Sequence, residues 1–122
     1  MKTALITVGS TREYIDPVRY ITNESSGQQG MALIKSLIKN NFKGICLHGY
    51  LQVKPIVSKK NSYIFTPNAE SMLKAAKKNK NVDLAIFNAA VADYRVENYQ
   101  KQKIKRNKNL TLKLKNNPDI LK

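Results

Sequence analysis

The sequence predicts an α/β domain built on an open, mainly parallel sheet with flanking helices. Three observations carry that expectation. A short, partly β-branched apolar run, Ala4 to Val8, is closed by Gly9 and followed by a loop and an amphipathic run. Strand-length apolar runs then alternate with helical patterns along the chain. The run VDLAIFNAA, Val82 to Ala90, is apolar almost throughout, as a parallel strand buried on both faces would be. At 122 residues there is room for one domain with a modest core, and a single domain over 1–122 is expected.

Ala4 to Val8 suits a central parallel strand. The stretch from Ser10 to Gly30, STREYIDPVRYITNESSGQQG, reads as a long loop joining it to the first helix. In an open α/β sheet such a loop crosses the carboxyl end of the strand, where ligands bind. The helix start beyond it offers unpaired N–H groups and a positive dipole end to an anion. Gly27 and Gly30 flank that start; lacking Cβ atoms, they would let a phosphate approach and the helix pack close to the strand. Asp16-Pro17 is a turn signal. Two readings are open for Arg12 and Arg19: a bidentate grip on phosphate or carboxylate, or pinning the loop through carbonyls or Glu13.

From Gly27 to about Asn40, Met31, Ile34, Leu37 and Ile38 share one helical face, with Leu33 beside it and Lys35 and Lys39 opposite. Ser25 or Ser26 serves as N-cap, a position from which a hydroxyl also reaches a phosphate. Gly44 to Leu47 is the second strand. His48, after it, has no second ligand or carboxylate at a telling distance and is expected to be a surface or hydrogen-bonded residue, not a base. Gly49 to Lys60 is a loop and Tyr63 to Thr66 the third strand. Asn68 caps a helix to about Asn79 with Ala69, Met72, Leu73 and Ala76 inward, Glu70 in its first turn and lysines in its last.

The fourth strand ends in Ala89 and Ala90, which would either admit a flat ligand against the backbone or simply pack tightly. Asp93, just past its end, would accept hydrogen bonds from ribose hydroxyls or fix its own turn. Residues 95–109 form a flexible basic segment with Lys101, Lys103, Lys105, Arg106 and Lys108, either a solvated run or a lid over a triphosphate. Leu110 to Leu114 alternates and reads as a half-exposed strand, an arm of a hairpin. Asn117-Pro118-Asp119 gives an N-cap, a proline at the first helical position and an acid in the first turn. The chain stops there, so the domain is expected to continue or to be completed by another chain.

The formal net charge of +14 would attract polyanions. The lysines scatter over several elements instead of forming one arginine-rich stripe, so nucleic acid is not the expected partner. Cys46 is the single cysteine, in an apolar run, which excludes a disulfide within the chain and suits a buried, inert thiol and a cytoplasmic location. No stretch approaches a membrane span, and no signal-peptide pattern follows Lys2.

Four motifs, in order, carry a family resemblance. They are Gly9-Ser10-Thr11-Arg12-Glu13 with Ile15-Asp16-Pro17-Val18-Arg19-Tyr20-Ile21 and Asn23-Glu24-Ser25-Ser26-Gly27; Ala89-Ala90-Val91-Ala92-Asp93-Tyr94-Arg95; Lys103-Ile104-Lys105-Arg106; and Leu110-Thr111-Leu112 followed by Asn117-Pro118-Asp119-Ile120-Leu121. Together they resemble phosphopantothenoylcysteine synthetase, the ligase of coenzyme A biosynthesis. The resemblance implies a Rossmann-like sheet with a basic flap and a short β arm, with the C-terminal part of the family domain missing. It implies joining of 4′-phosphopantothenate to cysteine with CTP and Mg²⁺. The carboxylate attacks the α-phosphate, pyrophosphate leaves, and the cysteine amine displaces CMP from the acyl-cytidylate. No side chain need be a nucleophile, so the protein's task is orientation and charge stabilisation.

By the resemblance, Asn23 holds the acyl-cytidylate and Lys103 supports the triphosphate. Gly9, Ser25, Ser26, Gly27, Phe87, Asn88, Ala89, Asp93, Pro118, Asp119, Ile120 and Leu121 contact the nucleotide, and Arg19, Asn23 and Ala90 the phosphopantothenate. No protein metal ligand is implied. A homodimer is, with a decarboxylase module or a separate C-terminal half as possible companions. Departures from the pattern are Asn88 for a smaller residue, His48-Gly49-Tyr50 for Ser-Gly-Pro, Ser10 for glycine or proline, and Arg106 for lysine. The competing readings are a truncated, inactive nucleotide-binding fragment, a basic nucleic-acid-binding module, and a short-chain dehydrogenase. The last draws on Asn88-Ala89-Ala90 and the Tyr99/Lys103 spacing, but the glycine fingerprint after the first strand is wrong for it.

Overall fold

The computed structural model of the chain describes residues 1–106 and 109–120. Four strands, β1 (Lys2–Val8), β4 (Phe42–His48), β5 (Asn61–Phe65) and β6 (Leu84–Phe87), form one parallel sheet in the order β5-β4-β1-β6. Two short antiparallel ribbons lie beside it, β2 (Arg12–Tyr14) with β3 (Tyr20–Thr22) and β7 (Tyr94–Val96) with β8 (Leu114–Asn116). Helices α1 (Gln28–Lys39) and α2 (Ala69–Lys78) complete the elements. The expected α/β class with an open parallel sheet is what the chain adopts.

Alternation along β1 sorts its side chains to two faces. Ile6 and Val8 meet Met31 and Ile34 of α1 together with Cys46, while Leu5 meets Leu47 and Ala76 of α2 on the opposite face. Each such fully buried aliphatic side chain contributes about 1.5–3 kcal/mol. The expected inward residues of both helices are all buried or half-buried, and Gly30, Ser71 and Ala75 join them. Asn68 caps α2 as expected: its side chain accepts from the Ser71 N–H at 2.8 Å, and Ser71 Oγ accepts from the Asn68 N–H at 3.2 Å. Burial pushes the Cys46 thiol up to about 12, which makes it inert.

Five expectations change. The loop from Ser10 to Gly30 contains a hairpin, because the Asp16 carboxylate closes a tight turn by accepting the Val18 and Arg19 N–H groups at 2.9 and 2.8 Å. The N-cap of α1 is Gly27, not Ser25 or Ser26; its φ of 86° lies in the left-handed region that favours glycine. Ser26 Oγ still accepts the Gln28 N–H at 3.2 Å from one position earlier. The fourth strand is shorter than Val82 to Ala90 and is not buried on both faces: among the described residues β6 pairs only with β1, and Leu84 and Phe87 are each 40% exposed at that edge. The β arm forms at Leu114–Asn116 instead of Leu110 to Leu114, since the partner strand ends at Val96 and pairs Val96 with Leu114. Asn117 to Asp119 have no regular structure and Ile120 is in a turn, while Leu121 lies outside the described residues. Among the described residues no helix is long and apolar enough to cross a membrane.

Gly30 is buried where α1 crosses β1, and a Cβ there would overlap Val8 Cγ1. Gly30→Ala should therefore lower stability by about 1–3 kcal/mol through overpacking, despite alanine's better helix propensity. The midpoint of urea unfolding measures it; an unchanged or raised midpoint would contradict the close approach.

Candidate functional site

The sheet changes direction between β1 and β6: the chain moves outward from β1 through β4 to β5, then returns to the other side of β1. Crossovers therefore leave the gap between β1 and β6 uncovered at the carboxyl ends, the place where open α/β sheets hold ligands.

What fills that gap is a strip of backbone stitched to β1 and its extension. The Asn88 N–H donates to Thr7 O at 3.1 Å and the Ala89 N–H to Thr7 Oγ1 at 3.2 Å. Ala90 N–H meets Gly9 O at 2.8 Å, Thr11 N–H meets Ala90 O at 3.2 Å, and Ala92 N–H meets Thr11 Oγ1 at 2.9 Å. Both threonines are fully buried. The other side of the strip is held by Asn117, whose Nδ2 donates to Ala92 O at 2.8 Å and whose N–H donates to Asp93 O at 2.8 Å. Arg95 holds the Asn117 Oδ1 at 3.3 Å.

A cavity of about 300 Å³ opens against this strip, lined by Thr7, Phe87, Ala89, Val91, Ala92, Asp93, Asn117, Pro118, Asp119 and Ile120. Six residues singled out in the sequence thus share one cavity: Phe87, Ala89, Asp93, Pro118, Asp119 and Ile120. Asn23 is attached to its rim, donating from Nδ2 to Val91 O at 3.1 Å. Thr7 and Asn117 are lining residues that the sequence reading did not single out as such. In sequence Thr7 belongs to an apolar strand and Asn117 to a helix-cap pattern, and only the pairing of distant segments brings them here.

The other expected residues stand elsewhere. Gly9 is buried at the end of β1 with its carbonyl taken by Ala90. Ser25, Ser26 and Gly27 form the approach to α1, where the Ser26 carbonyl accepts the Gln52 N–H at 3.0 Å. Asn88 faces Gly30 of that helix: its Oδ1 lies 3.2 Å from where a Cβ on Gly30 would be. Ala90 is within the stitched strip but does not line the cavity. His48 is half-buried, 3.0 Å from Gly49 O through Nδ1, and stacks its ring near Phe65 and Tyr63.

Arg19 and Lys103 meet in a separate recess of about 420 Å³, with Ile104, Lys105 and Arg106. Arg19 Nη1 pairs with Asp16 Oδ2 at 2.5 Å and donates to Ile104 O at 3.1 Å; the Ile104 N–H donates to the same Asp16 Oδ2 at 2.9 Å. Segment 95–109 is thus tied to the hairpin turn at Ile104, and again where the Gln100 N–H donates to Ile15 O at 2.9 Å. Lys108 lies outside the described residues. The Arg12 guanidinium lies 3.7 Å from the Tyr50 ring centre and 4.2 Å from that of Tyr20, so cation–π contacts hold it against the ribbon.

Two buried carboxyls shift in opposite directions. Burial pushes Glu13 up, against its hydrogen bond from the Ala69 N–H at the start of α2. Burial also works against ionised Asp16, but bonds from the Ile104, Val18 and Arg19 N–H groups and the Arg19 guanidinium more than reverse it. They hold that carboxyl well below the usual carboxylate range.

The family model of the DNA/pantothenate metabolism flavoprotein C-terminal domain matches residues 1–122. Among curated proteins, the coenzyme A biosynthesis bifunctional protein CoaBC of Thermococcus kodakarensis is 38% identical over 123 residues, which cover 98% of this chain and 30% of that protein. The crystal structure of a C-terminal domain of CoaBC superposes with a TM-score of 0.80 at 35% identity, covering 98% of this chain and 56% of that one. A Cab2 mutant in complex with phosphopantothenate-cysteine shares the fold, with a TM-score of 0.62 at 22% identity over 98% of this chain and 58% of that one. The chain therefore spans about a third of the curated relative and somewhat over half of the solved domains.

The Asp16 shift fixes a pH dependence. Its folded-state pKa lies below the unfolded value of about 4, so the stability it contributes is complete at neutral pH and is lost as pH falls through the carboxylate range. The gap in urea midpoint between the wild type and Asp16→Asn should be widest at pH 7 and shrink by pH 3. A gap that widens on acidification would contradict the assignment.

Proposed function

The chain belongs to the DNA/pantothenate metabolism flavoprotein C-terminal domain family, and from that premise we propose that it acts in the ligation of 4′-phosphopantothenate with cysteine in coenzyme A biosynthesis. We further propose CTP as the activating nucleotide and an acyl-cytidylate as the intermediate. The observation that carries the reading is the cavity between β1 and β6, which gathers residues from two motifs far apart in sequence, Ala89 to Asp93 and Asn117 to Ile120. Its volume suits a nucleoside, its flat wall of Ala89 and Ala92 suits a planar base or sugar, and Asp93 suits ribose hydroxyls.

In this reading the protein works by placement. Asn23, fixed through its Nδ2 to Val91 O, offers its amide oxygen at the cavity rim to the acyl-cytidylate. Lys103, with Lys105, Arg106 and Arg19 in one recess, supplies positive charge for the triphosphate and for the phosphate of phosphopantothenate. Among the described residues no group of three His, Cys, Asp or Glu side chains is placed to hold a metal ion. That fits Mg²⁺ which arrives on the triphosphate and is held mainly by its phosphate oxygens, with Asp93 and Asp119 as the carboxylates in the cavity lining that would be available to it. When bound, Mg²⁺ would neutralise phosphate charge; the chain's own groups orient the reacting carboxylate. A homodimer, a decarboxylase companion and a cytoplasmic location belong to the same proposal.

A second reading is favoured by the open edge of β6, where Leu84 and Phe87 are each 40% exposed: a chain that binds CTP and needs further polypeptide to turn over. One assay separates the two. The protein is incubated with CTP·Mg²⁺ and 4′-phosphopantothenate while pyrophosphate is followed, and cysteine is then added. The ligase reading expects pyrophosphate with CTP above ATP or GTP, a loss of about 10²-fold in that step for Lys103→Ala, and an effect of Asn23→Ala mainly on the cysteine step. CTP bound without pyrophosphate supports the second reading; no preference for CTP contradicts both.

A further inference from the structure

The fully buried Asp16 carboxylate has no part in the cavity, yet it joins two segments more than eighty residues apart. Its two oxygens divide the work. Oδ1 accepts from the Val18 and Arg19 N–H groups and so shapes the hairpin turn. Oδ2 accepts from Arg19 Nη1 and from the Ile104 N–H, and so holds the basic segment against that turn. The Arg19 guanidinium closes the loop by donating to Ile104 O. Ile104 stands between Lys103 and Lys105, so the point where the segment is clamped is also where its cations project.

A stretch this rich in lysine and arginine would otherwise repel itself and spread into solvent. Bringing Arg19, Lys103, Lys105 and Arg106 to one recess concentrates like charges, which a buried anion beneath them offsets. We infer that Asp16 is a positioning residue: through Oδ2 it holds the lysine segment and Arg19 in one register, and so builds a preformed recess for a phosphate or pyrophosphate group. The recess and the cavity share no lining residue, so their ligands can be titrated separately. Only the identity of that ligand rests on the ligase reading; the recess itself takes any phosphate-bearing anion.

The two oxygens make the test selective. In Asp16→Asn the amide oxygen replaces Oδ1 and keeps the turn, while the amide NH₂ faces the donors of Arg19 and Ile104 and cannot accept from them. Inorganic pyrophosphate and cytidine are titrated separately into the full chain, by calorimetry. The variant should bind pyrophosphate about tenfold more weakly, with cytidine affinity unchanged, and the Ile104 amide should exchange with solvent faster than those of the hairpin. A role confined to folding would weaken both ligands together and would overturn the inference, as would unchanged pyrophosphate affinity. Ile104→Pro removes the same bond from the other side and leaves the hairpin intact; it should weaken pyrophosphate to a similar extent, and full retention would overturn the inference. If the wild type binds pyrophosphate but not cytidine, the ligase reading fails while this one stands.

Discussion

The structure depends on one constraint: the backbone beyond β6 is threaded alongside the end of β1 by donating to Thr7, Gly9 and Thr11 and by accepting the Thr11 N–H. Two of the acceptors are buried threonine hydroxyls, which satisfy N–H groups that regular strand pairing would leave unmet once β6 ends at Phe87. An alanine strip without side-chain bulk can then form a wall, and Asn117 closes the far side by taking the Ala92 carbonyl. Removal of the Thr11 hydroxyl would leave the buried Ala92 amide unpaired, at a cost of about 1–3 kcal/mol. The cavity is a consequence of that stitching and of the reversal of strand order, more than of any one side chain that lines it.

Charge is organised on a second level. The lysines behind the net charge of +14 are scattered over several elements. The exposed Lys74–Glu70 pair at 3.7 Å contributes little. The arginines differ: Arg12 is spent on two tyrosine rings, and Arg19 on a buried carboxylate and a carbonyl. The recess proposed for an anion thus draws on Arg19 of the long loop after β1 as well as on the clamped segment around Ile104.

Much of this was legible in the sequence. The helices were marked by periodicity and by Asn68, and the central strands by length and apolarity. Phe87, Ala89, Asp93, Pro118, Asp119 and Ile120 were singled out by motif, and they come together at one cavity. What stayed hidden depends on partners. The run Val82 to Ala90 looks buried by composition, but burial needs a second neighbour, and among the described residues β6 has only β1. The hairpin inside Ser10 to Gly30 is three residues per strand, too short to leave a periodic signal, and it exists because Asp16 caps its turn. Nor does a lysine-rich stretch announce that one of its amides is held by a carboxylate 88 residues earlier.

The central claim is that the gap between β1 and β6 is the nucleotide site, and amide chemical-shift mapping by NMR with CTP·Mg²⁺ tests it most directly. The account predicts saturable shifts concentrated at Ala89, Ala92, Asp93 and Asn117, retained at high salt and much weaker with ATP. Diffuse shifts over the lysines of α1 and α2 that vanish with added salt, with those four amides unmoved, would contradict it.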